Sequence, residues 1–99
     1  MSDVVITVTV DTSIVATDRV VLVDSTGGPV TVTLPTSIAV GQRHGVKDYG
    51  SGGLGFSGTN PVYVDPGTNN IDGVPGPRLL EEGEGLNLIG NGIDWGVIV

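Results

Sequence analysis

Alternation of apolar and polar positions, the period of a half-buried β-strand, recurs from the start of the chain to its end. In the first such run, residues 4–10, every even-numbered position is Val or Ile, and the run ends at residues 11–13. In a second run, residues 30–34, Val and Leu alternate with Thr until Pro35, which cannot donate to a strand ladder. Both runs predict β-strands with one face turned toward a core.

No segment of the chain has helical periodicity. The best local helix candidate, residues 79–82, is interrupted by Gly83 and Gly85, each of which costs about 1 kcal/mol relative to Ala in a helix. We interpret it as a strand edge or turn. Shorter apolar runs predict further strands at residues 14–16, 19–23, 43–49 (the weakest of these signals), 62–65 and 86–88.

Two glycine turns predict β-hairpins. Residues 21–35 form a short apolar strand, a Gly-Gly-Pro turn and an alternating strand, and Gly90-Asn91-Gly92 joins two apolar runs near the C-terminus. In the last run Trp95 alternates with other apolar residues, which places it in the core or at a subunit seam.

The motif Val-x-Val-Asp occurs three times, at residues 8–11, 21–24 and 62–65. We interpret each copy as a β-branched strand whose final Asp bonds the following turn. The uneven spacing argues against a solenoid repeat. The expected fold is a compact antiparallel sandwich or barrel-like module of about 8 to 10 short strands.

A chain of 99 residues with four aromatic side chains makes one domain with a thin core. Residues 20–23 are consecutive apolar residues, so both faces of that strand are apolar and one face is expected to meet a partner subunit. The glycine-rich loop, residues 50–60, has too few side chains to hold itself and is expected to be mobile or clamped by a neighbour. The candidate assembly residues are Val4, Ile6, Val8, Val10, Val20, Leu22, Leu54, Phe56, Trp95 and Val97.

The net charge of −7, with only four Lys and Arg residues, argues against a nucleic-acid partner. No apolar run approaches the roughly 18 residues of a membrane span, and no secretion signal opens the chain, so we expect synthesis in the cytosol. The chain has no cysteine for a disulfide, a thiolate ligand or a nucleophile.

The remaining chemical candidates favour structural roles. His44, the single histidine, is expected at the surface or at an interface, and no Ser lies in a Gly-x-Ser-x-Gly motif. Residues 65–72 carry four carboxylate or amide side chains without the order of an EF-hand, and residues 81–84 form an acidic run that suits a solvated edge. We therefore predict no catalytic, cofactor-binding or metal-binding residues and a protein that is not an enzyme.

Several short motifs follow one another in a set order along the chain. They are ATDRVVLVD at residues 16–24, GPVTVTLP at 28–35, VGQ at 40–42 leading to VKD at 46–48, TNPV at 59–62, NIDG at 70–73 and GIDWGVI at 92–98. This ordered set, rather than any single motif, resembles a small β-module of bacteriophage virion proteins, and the resemblance spans residues 16–99.

Members of that family occur in tail-fibre, head-fibre and capsid-decoration proteins, commonly as trimeric all-β units. The resemblance therefore implies an intertwined homotrimer on a virion, made in the cytoplasm of a bacterial host, with no chemistry of its own. The chain departs from the family pattern in residues 51–58 and 75–84, two loops expected to make specific contacts. Residues 1–12 are expected to form an N-terminal arm in assembly contacts.

The module occupies nearly the whole sequence, without a shaft, coiled coil or adhesin tip. This favours a capsid decoration (cement) protein that bridges and stabilises subunits of the major capsid protein on the outer shell. The alternatives are a tail-fibre, head-fibre or baseplate appendage and, less favoured, a carbohydrate-binding domain, for which four aromatic residues offer little platform.

Overall fold

The structure, a computed structural model, describes residues 4–98. The described chain contains strands and no helix, so the all-β prediction is confirmed. The eleven strands are β1 (Val4–Val8), β2 (Thr12–Ser13), β3 (Asp18–Val23), β4 (Val30–Thr33), β5 (Arg43–Asp48), β6 (Val62–Asp65), β7 (Asn70–Ile71), β8 (Val74–Pro75), β9 (Arg78–Leu80), β10 (Gly85–Gly90) and β11 (Trp95–Val97).

The strands form two sheets that pack face to face. Sheet A has the order β1-β3-β5-β10-β11-β7-β8, and sheet B has the order β2-β4-β6-β9. Fully buried side chains from sheet A, such as Val21 and Leu88, and from sheet B, such as Val32 and Val64, belong to one hydrophobic cluster. The core is therefore a single layer of mostly aliphatic side chains between the sheets.

The first six strands wind as three coils. Odd-numbered strands lie in sheet A and even-numbered strands in sheet B, and every neighbouring pair among β1, β3 and β5, and among β2, β4 and β6, is parallel. Aligned positions in sheet A are Val5, Val20 and Gly45, so successive coils differ in length. The expectation that uneven spacing argues against a solenoid was wrong for this half of the chain, because the turns absorb the difference while the strands stay in register.

The later strands close this winding. Strand β10 pairs antiparallel with β5 in sheet A, and β9 pairs antiparallel with β6 in sheet B. Strands β11, β7 and β8 extend sheet A beyond β10. The expected antiparallel arrangement therefore holds for most pairs of the later strands, although β11 and β7 are parallel, and the sheets as a whole are mixed.

The hairpin predicted at residues 21–35 was wrong, because β3 and β4 lie in different sheets. Val21 and Val23 on β3, like Val30 and Val32 on β4, are fully buried and face one core. The Gly-Gly-Pro segment is therefore a corner that carries the chain across the sandwich. The second predicted hairpin is confirmed, since β10 and β11 are antiparallel neighbours.

Aspartates end several strands as predicted. The carboxylates of Asp24 and Asp65 each accept a hydrogen bond from the backbone N–H two residues on, at 3.0 and 2.8 Å. Asp48, at the end of β5, does the same with Gly50 at 3.1 Å. Asp11 is different: its carboxylate accepts from the N–H of Thr31 and so ties the first coil to the second.

Candidate assembly surface

His44 lies inside the sandwich of its own chain rather than at the surface or at an interface, where the sequence suggested it. Its side chain is 1% exposed and packs edge to face against Trp95, with ring centroids 5.3 Å apart. The weak strand signal of residues 43–49 concealed this, because β5 turns His44, Val46 and Asp48 inward. Two of those three residues are polar, which inverts the usual pattern of a buried face.

Hydrogen bonds around His44 fix its neutral form. Gln42 Oε1 accepts from the N–H of Ala39, so Gln42 Nε2 is the donor toward His44 Nε2 at 2.9 Å. His44 Nε2 must then accept, and Nδ1 carries the proton donated to the Asp18 carbonyl at 2.6 Å. Burial is the main cause that lowers the pKa of His44 below its ordinary value. The ring is a satisfied core group with neither nitrogen free to act as a base.

The acidic side chains mostly serve the backbone. Asp72 accepts from Val97 and Asp94 accepts from Asn70, while Asp65 bonds Gly67. The oxygens of residues 65–72 therefore hold separate backbone segments and do not converge on one point. Over residues 4–98, no group of three or more His, Asp or Glu side chains is placed to hold a metal ion.

The candidate assembly residues are distributed through the fold in three groups. Trp95 and Val8 are 2% and 8% exposed and belong to the chain's own core. Val10 and Leu54 are highly exposed. The side chain of Val4 lies outside the described residues. The half-buried residues are Ile6, Val20, Leu22, Phe56 and Val97.

The outer face of sheet A carries a shallow trough. Gly45 on β5 pairs with Val20 on β3, and the neighbouring strand β10 begins at Gly85 beside Lys47. Two neighbouring hollows of ≈580 and ≈240 Å³ lie over these positions, and both are lined by Val20 and Gly45. Apolar side chains border them, including that of Ile98, which is 45% exposed.

Three of the protein's four cationic side chains lie on this outer face of sheet A. Arg19 and Arg43 line the larger hollow, and Lys47 lines the smaller one. Arg19 donates to the backbone carbonyl of Arg43 at 3.2 Å, and Lys47 donates to the carbonyl of Gly83. We call Arg19, Val20, Leu22, Arg43, Gly45, Lys47 and Ile98 the cationic face.

The outer face of sheet B is different in character. Its aligned positions carry Thr31, Tyr63 and Leu79 in one row and Thr33 with Asp65 in the next. These are hydroxyl, apolar and acidic groups, while the fourth cation, Arg78, lies on the edge strand β9. The outer face of sheet A around β3, β5 and β10 therefore carries cations that these rows of sheet B lack.

The glycine-rich loop holds its own shape, contrary to the expectation from composition. The N–H of Gly53 donates to the Tyr49 carbonyl at 3.0 Å, and that of Ser51 donates to Gly55 at 2.9 Å. Gly50 has φ +63°, and a Cβ there would collide with Phe56. Backbone hydrogen bonds and the Phe56 ring thus hold the loop in shape. Leu54, at the tip of the loop, is 91% exposed.

Comparison with protein-family models and with curated proteins finds no match to this chain. Among the described residues there is no helix of the length and apolar character that crosses a bilayer. The properties of the assembly surface are therefore argued from this chain's own residues. Sequence reasoning missed the cationic face because Arg19 is far from Arg43 and Lys47 in the chain, and only the parallel pairing of β3 and β5 brings it beside them.

Proposed function

We propose that this chain is a non-enzymatic structural protein of a bacteriophage virion, a trimeric capsid decoration protein that stabilises the outer shell. The observation that carries the proposal is the cationic face, three cations set around apolar side chains on a protein of net charge −7. The ordered set of phage-module motifs described above supports the same assignment.

The cationic face suits contact with the major capsid protein. Val20 and Leu22 supply half-buried apolar area, and Arg43 is exposed and available to pair with a carboxylate. Burial of the apolar centre gives affinity, while the surrounding cations set orientation and association rate. The remaining surface, which is mostly acidic or neutral, faces solvent and keeps particles apart by repulsion.

Stabilisation in this account needs no chemistry. A ligand that binds the assembled shell but not free coat subunits lowers the free energy of the assembled state by mass action. At a free concentration of 100 times Kd, the gain is about 2.7 kcal/mol per site. Many such sites over a shell oppose its rupture.

A binding experiment with matched charge reversals tests the proposal. Particles assembled without this chain are mixed with the purified protein and sedimented, and bound protein is measured against concentration. The wild type is expected to bind saturably. Arg43→Glu on the cationic face is expected to weaken binding at least tenfold, because a cation becomes a like charge at the contact.

The control is Arg78→Glu, which makes the same change in charge at an exposed position on β9. It is expected to bind like the wild type. Equal losses of binding in the two variants would mean that binding depends on net charge and not on the cationic face. Wild-type protein that does not bind particles would contradict the decoration role and favour a tail-fibre, head-fibre or baseplate appendage.

A further inference from the structure

The three-coil winding has two unlike ends. At one end the last coil, β5 and β6, is covered by the antiparallel strands β10 and β9. At the other end the first coil, β1 and β2, contributes the outermost strand of each sheet. Coiled β-structures need such covering strands, because an uncovered coil presents strand edges and the margin of the core together. Among the strands of residues 4–98, none covers the first coil.

The edge of β1 is well suited to pairing with another strand. The carbonyl of Val8 accepts from the N–H of Asp24, so Val8 and, by alternation, Ile6 direct their main-chain groups toward β3. Val5 and Thr7 therefore direct theirs outward. The strand has no Pro and no charged residue among its five positions. Edges of this kind pair readily with another chain.

The other sheet margins are protected. Strand β8 has only two residues and one of them is Pro75, which cannot donate to a ladder. Strand β2 also has two residues. Strand β9 begins with the charged Arg78 and has three residues. Of the four edge strands in the described fold, β1 is the longest and lacks each of these devices.

The side chains at this end of the molecule carry few charges. Residues 4–17, which form the first coil and its turns, contain a single ionisable residue, Asp11, whose carboxylate already accepts from Thr31. The Asp18 carboxylate at the border of the coil accepts from the N–H of Val15. Val5, Val10 and Val15 are 56%, 68% and 58% exposed. A protein of net charge −7 repels its own copies over most of its surface, so a neutral apolar end is the surface that two copies can share.

We propose that the first coil, residues 4–17, is the surface through which copies of this chain associate, with the outward main-chain groups of β1 bonded to a second copy. This deepens the homotrimer of the proposed function and rests on it. In a three-fold ring two unlike parts of this first-coil surface meet at each contact, and the contact is repeated once per subunit. Apolar contacts around Val10 and Val15 add to the main-chain pairing.

Thr7→Pro tests the main-chain part of the contact. It removes an outward N–H while leaving the bonds of Ile6 and Val8 to β3, since proline is tolerated where the donor faces away from the sheet. The full chain is studied by analytical ultracentrifugation. The wild type is expected to form trimers, and the variant is expected to need at least tenfold more protein to associate. Thr7→Val, which keeps the N–H, is expected to associate like the wild type.

Two matched valine-to-glutamate variants test the side-chain part of the contact, and the emission of Trp95 reports whether they fold. Val10→Glu in the first coil and Val74→Glu on β8 alter valines of similar exposure, 68% and 62%. Only the first is expected to weaken association, while both keep the wild-type emission of Trp95. Folded Thr7→Pro and Val10→Glu proteins that associate normally would overturn the inference. If the wild type binds particles as trimers in that case, the proposed function stands and only this surface is wrong.

Discussion

At the scale of single residues, His44 shows how a polar side chain is accommodated in a thin core. Its two ring nitrogens are satisfied by the Gln42 side chain and the Asp18 carbonyl, and Trp95 lies against the ring. A proton added at Nε2 would face the amide N–H of Gln42 and leave two donors opposed. The folded protein therefore selects the neutral ring.

This arrangement predicts a stability that depends on pH. Burial lowers the pKa of His44, with Arg19 acting in the same direction, and the Asp18 carbonyl and carboxylate oppose the shift. The unfolded chain then binds a proton more tightly than the folded one. The stability that neutral His44 contributes is fully present above the pKa of His44 in the unfolded chain, about 6.5. It is lost as the pH falls through the lower pKa of His44 in the folded protein.

Urea unfolding followed by Trp95 emission at pH 7.5 and at steps down to pH 5 measures this effect. Below pH 6.5 the free energy of unfolding is expected to fall by up to about 1.4 kcal/mol per pH unit, the limit for one proton. His44→Gln is expected to be less stable at pH 7.5 but to lose most of the slope in this range. An unchanged slope in the variant would assign the pH dependence to other groups.

Sequence reasoning at this scale succeeded for Asp24 and Asp65, whose roles depend only on residues two positions away. It failed for His44, because burial depends on which face of β5 meets the core. Gly45 and Lys47 point outward on the same strand, and alternation alone does not distinguish the two faces when neither is consistently apolar.

At the scale of elements, the turns decide how the coils stack. Asp48 is 4% exposed, and its carboxylate accepts from the N–H groups of Gly50 and Gly83 at 3.1 and 3.4 Å. One buried side chain thus joins the end of β5 to the glycine-rich loop and to the turn before β10. Loss of this acceptor leaves two backbone donors without their partner.

We predict that Asp48→Ala lowers the free energy of unfolding by about 1 to 3 kcal/mol, the cost of orphaned buried donors. Asp48→Asn keeps one carbonyl oxygen and is expected to lose less. The comparison is Asp65→Ala, whose single N–H partner, Gly67, is exposed and can bind water instead. Urea midpoints measure all three, and equal losses at Asp48 and Asp65 would contradict the bridging role.

The element scale also shows why strand positions were easier to predict than strand partners. Residues 30–34 and 62–65 alternate clearly, and strands form there. The predicted pairing of β3 with β4 was wrong because Gly27 and Gly28 permit a tight hairpin and a sheet-to-sheet corner equally well. Burial of the residues on both sides of the turn decides between a hairpin and a corner. That burial depends on the packing of the whole sandwich.

At the scale of the whole molecule, charged side chains are distributed unevenly over the surface. Cations gather on the outer face of sheet A, and the first coil is nearly uncharged. The all-β class was predictable from alternation, but neither surface was, because parallel pairing brings together residues from separate coils. Two distinct contact surfaces are what a bridging protein needs, one for the shell and one for its own copies.

The decoration role proposed for this chain is tested by its copy number in purified phage particles. Quantitative mass spectrometry would compare peptides of this chain with those of the major capsid protein. We expect a number on the scale of the coat protein, because decoration sites repeat with the shell lattice. A number far below it, confined to a tail or a vertex, would contradict the decoration role.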